Sequence, residues 1–147
     1  MSKWVIKWSG HDPALAGREH EWTRALAAKS ITCFGRAEGR GGESLASLSP
    51  GNVALAYQAE DRSFHGIVRV ITVHPAAKPA FFVADRVTRF TQPVRLATLA
   101  SQQPLLQEVG AFRTGGSEAI RRLSPDEFRL ILDGCGIDAD ARARLRI

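Results

Sequence analysis

Residues 29–70, KSITCFGRAEGRGGESLASLSPGNVALAYQAEDRSFHGIVRV, decide the fold. Ser30–Phe34 reads as a short strand, rich in β-branched and aromatic residues. Gly35–Gly42 (GRAEGRGG) holds four glycines and two arginines and reads as a loop. Ser49-Pro50-Gly51 is a turn signal. Asn52–Gln58 then alternates, with Val53, Leu55 and Tyr57 on one face. Glu60-Asp61-Arg62-Ser63 makes a hairpin turn, and Phe64–Val73 is its long antiparallel partner. This layout predicts a small β-barrel whose opening is lined by aromatic side chains.

The flanking segments extend that picture. Lys3–Trp8 alternates as a strand with two distinct sides, Trp4, Ile6 and Trp8 on one and Lys3, Val5 and Lys7 on the other. Asp12 and Pro13 open a helix that is expected to run to about Lys29. Ala80–Phe90 reads as a further strand, and Pro93–Ala97 as an extension or edge of the sheet. Thr98–Val109 holds a short helix broken at Pro104. Ala119–Leu123 is a last short strand. Ser124-Pro125-Asp126-Glu127 is a capping box with proline at the first helical position, and the helix after it ends at Gly134 or Gly136. The tail from Asp138 to Ile147 is expected to be helical. No linker or repeat divides the 147 residues, so one domain spanning 1–147 is expected.

Composition narrows the function classes. The formal net charge is +5. Residues 117–147 carry six acidic and six basic side chains, so the surplus belongs to the predicted barrel. A cationic barrel suits a phosphate backbone, and arginine, which outnumbers lysine here, suits bidentate phosphate contact. MSKWVIKWSG lacks the apolar core of a secretory signal, and no apolar run approaches a membrane span. Cys33 and Cys135 are expected as reduced thiols in a cytoplasmic protein. The four histidines and two cysteines show no metal-ligand spacing. GRAEGRGG lacks the terminal Lys-Ser/Thr of a P-loop, and no GxSxG or HExxH occurs. A binding module is therefore expected rather than an enzyme, with no metal and no cofactor.

The order of these segments resembles PUA-like domains of the EVE type, related to YTH and ASCH domains. VIKWSG is similar to the family's opening strand. AKSITCFG sits where EVE proteins carry Trp-x-Gly-Val-Arg-Asn and YTH domains Ser-Ile-Trp-Cys. PGNVALAYQAEDRSFHGIVRV is similar to the hairpin of both, and AIRRLSPDEFRLIL to the EVE ending. Two departures stand out. Thr32 occupies the place of the YTH cage tryptophan, with Phe34 two residues on. The Val-Arg-Asn signature is missing, with Arg36 in place of its arginine.

The resemblance implies an α+β fold: a twisted, mostly antiparallel barrel of five to six strands with flanking helices. It also implies a reader of a flipped, modified base, such as methylated or hydroxymethylated cytosine in DNA. DNA is favoured over RNA, and no membrane is involved. Such a reader needs flat walls, polar groups for the base edge and a basic rim. The base-pocket candidates are Trp8, Ser9, Thr32, Cys33, Phe34, Gly35, Tyr57, Gln58 and Phe64. The phosphate candidates are Lys7, Arg36, Arg40, Arg62 and Arg113. For Trp8 and Tyr57 a place in the core competes with a place in the pocket, and for Phe64 a place covering the hairpin does. The rival functions are a reader of modified RNA, a small amidohydrolase, and a small-molecule or protein-interaction domain whose basic charge is incidental. The second lacks its Gly-x-Lys motif here, and Lys7 is the residue on which it would rest.

Overall fold

The computed structural model describes residues 2–8, 21–34, 45–108 and 120–147. Among these residues six strands and four helices follow one another as β1 (Lys3–Trp8), α1 (Trp22–Ala25), β2 (Ser30–Phe34), β3 (Val53–Gln58), β4 (Ser63–His74), β5 (Phe81–Arg95), α2 (Leu96–Gln102), β6 (Ile120–Leu123), α3 (Pro125–Gly134) and α4 (Ala139–Leu145). Short 3-10 turns cover Leu45–Ser47 and Pro104–Glu108. The expected helix start at Asp12 and Pro13 and the loop 35–42 lie outside the described residues.

The expected barrel is an open mixed sheet of order β2-β5-β4-β3-β1-β6. Among the described residues its end strands β2 and β6 pair only with β5 and β1. Four of the five pairings are antiparallel, and β1 runs parallel to β3 in the register Trp4↔Ala54 and Trp8↔Gln58. The strand expected to end at Phe90 continues through Pro93 to Arg95. Between the pairs Gly66↔Arg89 and Phe64↔Val94, residues 90–93 face the single β4 residue His65. This bulge pushes one segment of β5 out of the ladder.

Strand alternation places a core on each side of the sheet. Trp4, Ile6, Trp8, Ala54, Val68 and Phe82 form one core, with Trp22 and Leu26 from the α1 region and Leu45 and Leu48 from the 3-10 turn and its exit. Val5, Leu55, Tyr57, Phe64 and Ile67 form the other, roofed by Leu99 of α2 and Phe128, Ile131 and Leu132 of α3. β1 therefore contributes to a core on each side of the sheet. Gly66 is required by close approach: a Cβ there would lie 2.5 Å from the carbonyl oxygen of Thr88.

Several buried polar groups have well-placed partners. The Trp4 indole N–H donates to Asn52 Oδ1 at 3.1 Å, which also accepts from the Ser49 N–H at 2.8 Å. The Trp22 indole N–H donates to the Ile6 carbonyl at 3.3 Å. α3 begins with the expected capping box: the Glu127 N–H donates to Ser124 Oγ at 3.1 Å, and the Ser124 N–H to Glu127 Oε1 at 2.7 Å.

Candidate nucleic-acid interface

β2 and the far end of the β4–β5 hairpin build an aromatic cluster. β5 lies between β2 and β4, and its register sets Phe34 opposite Phe81 and Phe81 opposite His74. The next rung is Thr32, Val83 and Thr72. Cys33 and Phe82 point into the first core, so alternation turns their neighbours Phe34 and Phe81 to the other face. The His74 imidazole stacks on Phe81 at 4.5 Å between centroids, with 21° between planes. Phe34 meets Phe81 at 6.1 Å, tilted by 49°. A hydrogen bond of 3.1 Å between Thr72 Oγ1 and His74 Nε2 holds the imidazole flat. Phe34 and Phe81 are half-buried, while Thr32, Thr72 and His74 are exposed. Lys78 is exposed on the turn that joins the two strands.

The other candidates fall elsewhere. Trp8 is buried, and Trp22 lies parallel on it at 3.8 Å and 7°. That is the position a stacked base would take. Gln58 is buried too; its Oε1 accepts the Trp22 backbone N–H at 2.9 Å, and its Nε2 donates to Glu60 Oε2 at 2.9 Å. Cys33 is fully buried in the same core, and burial pushes its thiol pKa up. Tyr57 and Phe64 pack together at 5.2 Å on the opposite face of the sheet, where burial raises the Tyr57 pKa and the adjacent Arg62 opposes the rise. Arg62 sits on the β3–β4 turn at a positive φ of 51°. Lys7 is half-buried on β1.

The sheet thus parts Trp8, Cys33 and Gln58 from Tyr57 and Phe64, and the two groups share no pocket. Phe34 and Thr32 belong to the aromatic cluster, about ten residues of β4, or roughly 33 Å of strand contour, from the Phe64 end. Ser9, Gly35, Arg36, Arg40 and Arg113 lie outside the described residues. Sequence reasoning missed His74 and Phe81. Their signal was the hairpin register, which brings the two ends of the 75–80 turn together.

A separate cleft of about 470 Å³ lies beside α1, lined by Thr23, Leu26, His65, Arg89, Phe90 and Pro93 among others. His65 is held there by Asp61 Oδ2 at 2.9 Å on Nε2 and by Thr23 Oγ1 at 3.4 Å on Nδ1. Arg86 and Arg89 donate to the carbonyls of Leu26 and Thr23 at 3.0 and 3.1 Å, closing the C-terminal end of the α1 turn. Among the described residues, no three His, Cys, Asp or Glu side chains gather to hold a metal ion. No described helix is long and apolar enough to cross a membrane.

No protein-family model matches the chain, and no curated protein does. Solved structures do. The protein Rpa0253 from Rhodopseudomonas palustris superposes with a TM-score of 0.70 at 16% identity, covering 93% of this chain and 94% of that one. The DUF55 domain of human thymocyte nuclear protein 1 gives 0.68 at 15% identity over 93% and 100%. The human THYN1 protein in complex with 5-methylcytosine containing DNA gives 0.66 at 15% identity over 90% and 96%. TM-scores near 0.7 and near-complete coverage on both sides establish the architecture: this chain has the α+β, PUA-like fold of these proteins.

Proposed function

We propose that the chain is a nucleic-acid-binding module that stacks a base on the Phe34–Phe81–His74 cluster, with modified cytosine in DNA as the favoured ligand. The observation that carries this reading is the cluster itself: three rings set side by side across three strands and left partly open. Base–aromatic stacking contributes about 1–3 kcal/mol per base. The hydroxyls of Thr32 and Thr72 on the next rung supply groups for a base edge. Lys78 on the turn, and Arg36 and Arg40 just after Phe34 in sequence, are the proposed phosphate contacts. The methylcytosine DNA held by a protein of the same fold supports the choice of ligand. A base reaches such a surface only when it leaves its stack. A methyl group adds only about 0.8 kcal/mol when buried, so selectivity would rest on a tight apolar contact.

In this reading Trp8, Cys33, Tyr57 and Phe64 hold the sheet, and no catalytic step is assigned. Fluorescence anisotropy with duplexes carrying plain, methylated and hydroxymethylated cytosine, and with matched RNA, tests it at two salt concentrations. Affinity should fall as salt rises, by a log–log slope of about 0.9 for each duplex phosphate neutralised. Phe81→Ala should weaken binding by about tenfold or more without unfolding the chain. Equal binding by wild type and Phe81→Ala would overturn the assignment. Tighter binding to RNA would move it to the rival reader.

A further inference from the structure

A second cavity, of about 680 Å³, runs between the bulged segment of β5 and α4. That volume lies within the roughly 300–1,000 Å³ of ordinary ligand sites. Its walls are Phe90 and Val94 on β5, facing Cys135, Ile137 and Leu145 on the α3–α4 side. Arg89 and Arg144 stand among these apolar groups, and among the described residues no aspartate or glutamate lines the groove. Among the described residues Arg144 is exposed and forms no ion pair.

The groove is held open by its surroundings. α4 has no fully buried residue, so packing alone does not fix it. It is tied by two sets of hydrogen bonds instead. From its middle Arg142 reaches back to the segment before the helix, donating to Asp133 Oδ1 at 2.7 Å and to the Ile137 carbonyl at 3.1 Å. At its end Arg69 donates to the carbonyls of Leu145 and Arg146 at 3.1 and 2.8 Å. Next to Arg142 the small side chain of Ala141 faces the cavity and leaves room. Opposite, residues 90–93 lie outside the ladder. Burial raises the pKa of the Cys135 thiol to about 12, so it stays neutral at physiological pH and does not repel a negative ligand.

We infer that the β5–α4 groove is a binding site for a small amphipathic anion, an apolar chain bearing one carboxylate or phosphate head that Arg144 engages. The site is independent of the base-stacking surface: none of Phe34, His74 and Phe81 lines it.

The test is a ¹H–¹⁵N correlation titration of the full chain with decanoate, decyl phosphate, decanol and decyltrimethylammonium, all below micelle formation. Both anions should give saturable shifts confined to residues 88–94 and 135–145. They should bind about tenfold more tightly than decanol, as expected for a charge-assisted hydrogen bond to the head. The cation should not bind. A preference between the two anions would tell a carboxylate source from a phosphate one. Arg144→Ala, an exposed and therefore benign change, should bring both anions down to the affinity of decanol. Ala141→Trp should fill the groove and abolish the shifts. Anions no tighter than decanol, an Arg144→Ala variant unchanged in affinity, or shifts centred outside the groove would each overturn the proposal.

Discussion

Asn52 shows how one residue ties distant parts of the chain. Its carboxamide oxygen takes the Trp4 and Ser49 N–H groups, while its backbone accepts from Val70 at 2.8 Å. Asn52→Ala would strand a buried indole N–H, and leaving one such donor without an acceptor costs about 1–3 kcal/mol. Urea denaturation should therefore show stability reduced by about 2 kcal/mol, with the m-value unchanged. None of this was legible locally, because Trp4 lies 48 positions away. The aromatic residues were easier to find than to place. Phe34 was legible as a ring at the end of a strand beside a basic, glycine-rich segment. Trp8 looked equally eligible, and only the arrival of Trp22 on its face decides its surroundings. Tyr57 and Phe64 stand beside Gln58 and His65 in sequence, yet alternation sends them through the sheet to the other core.

At the scale of elements, local chemistry was legible and long-range pairing was not. The capping box of α3 is written within four residues, and the structure contains it. Ser124→Ala removes the acceptor for the Glu127 N–H and should lower stability by about 1 kcal/mol, read from the denaturant midpoint. The β3–β4 hairpin was equally visible from its turn residues. By contrast, the parallel pairing of β1 with β3 joins strands with some 45 residues between them, and nothing local announces it. The alternation of Lys3–Trp8 announced a strand without naming its neighbours. The length of β5 was hidden by Pro93. That residue sits in the stretch that leaves the ladder, where a missing N–H costs no hydrogen bond.

For the molecule as a whole, the fold class followed from element order, while closure did not. Whether six strands form a barrel depends on whether the outer two meet, and sequence patterns carry no record of that contact. Burial also gives the whole chain an alkaline limit. Cys33 and Cys135 have pKa values raised above the ordinary 9.0, and Tyr57 is raised above 10.0. Above about pH 9 the unfolded chain releases thiol protons that the folded chain retains. The unfolded state then binds fewer protons, and stability falls as pH rises. The slope approaches about 1.4 kcal/mol per pH unit for each thiol. The Cys135 share ends near pH 12. Lys3, whose pKa burial and Arg69 lower, acts in the opposite direction and trims the fall near its ordinary 10.5. Chemical denaturation from pH 8 to 11 should show the midpoint dropping from about pH 9. The parallel contact of Trp8 and Trp22 has an optical consequence. Two indoles lying flat at van der Waals distance couple their electronic transitions, so the native chain should display a split, two-signed band in circular dichroism. Trp22 belongs to α1 and Trp8 to the sheet, so that signal would fade as soon as the helix lifts away, even while the strands remain paired.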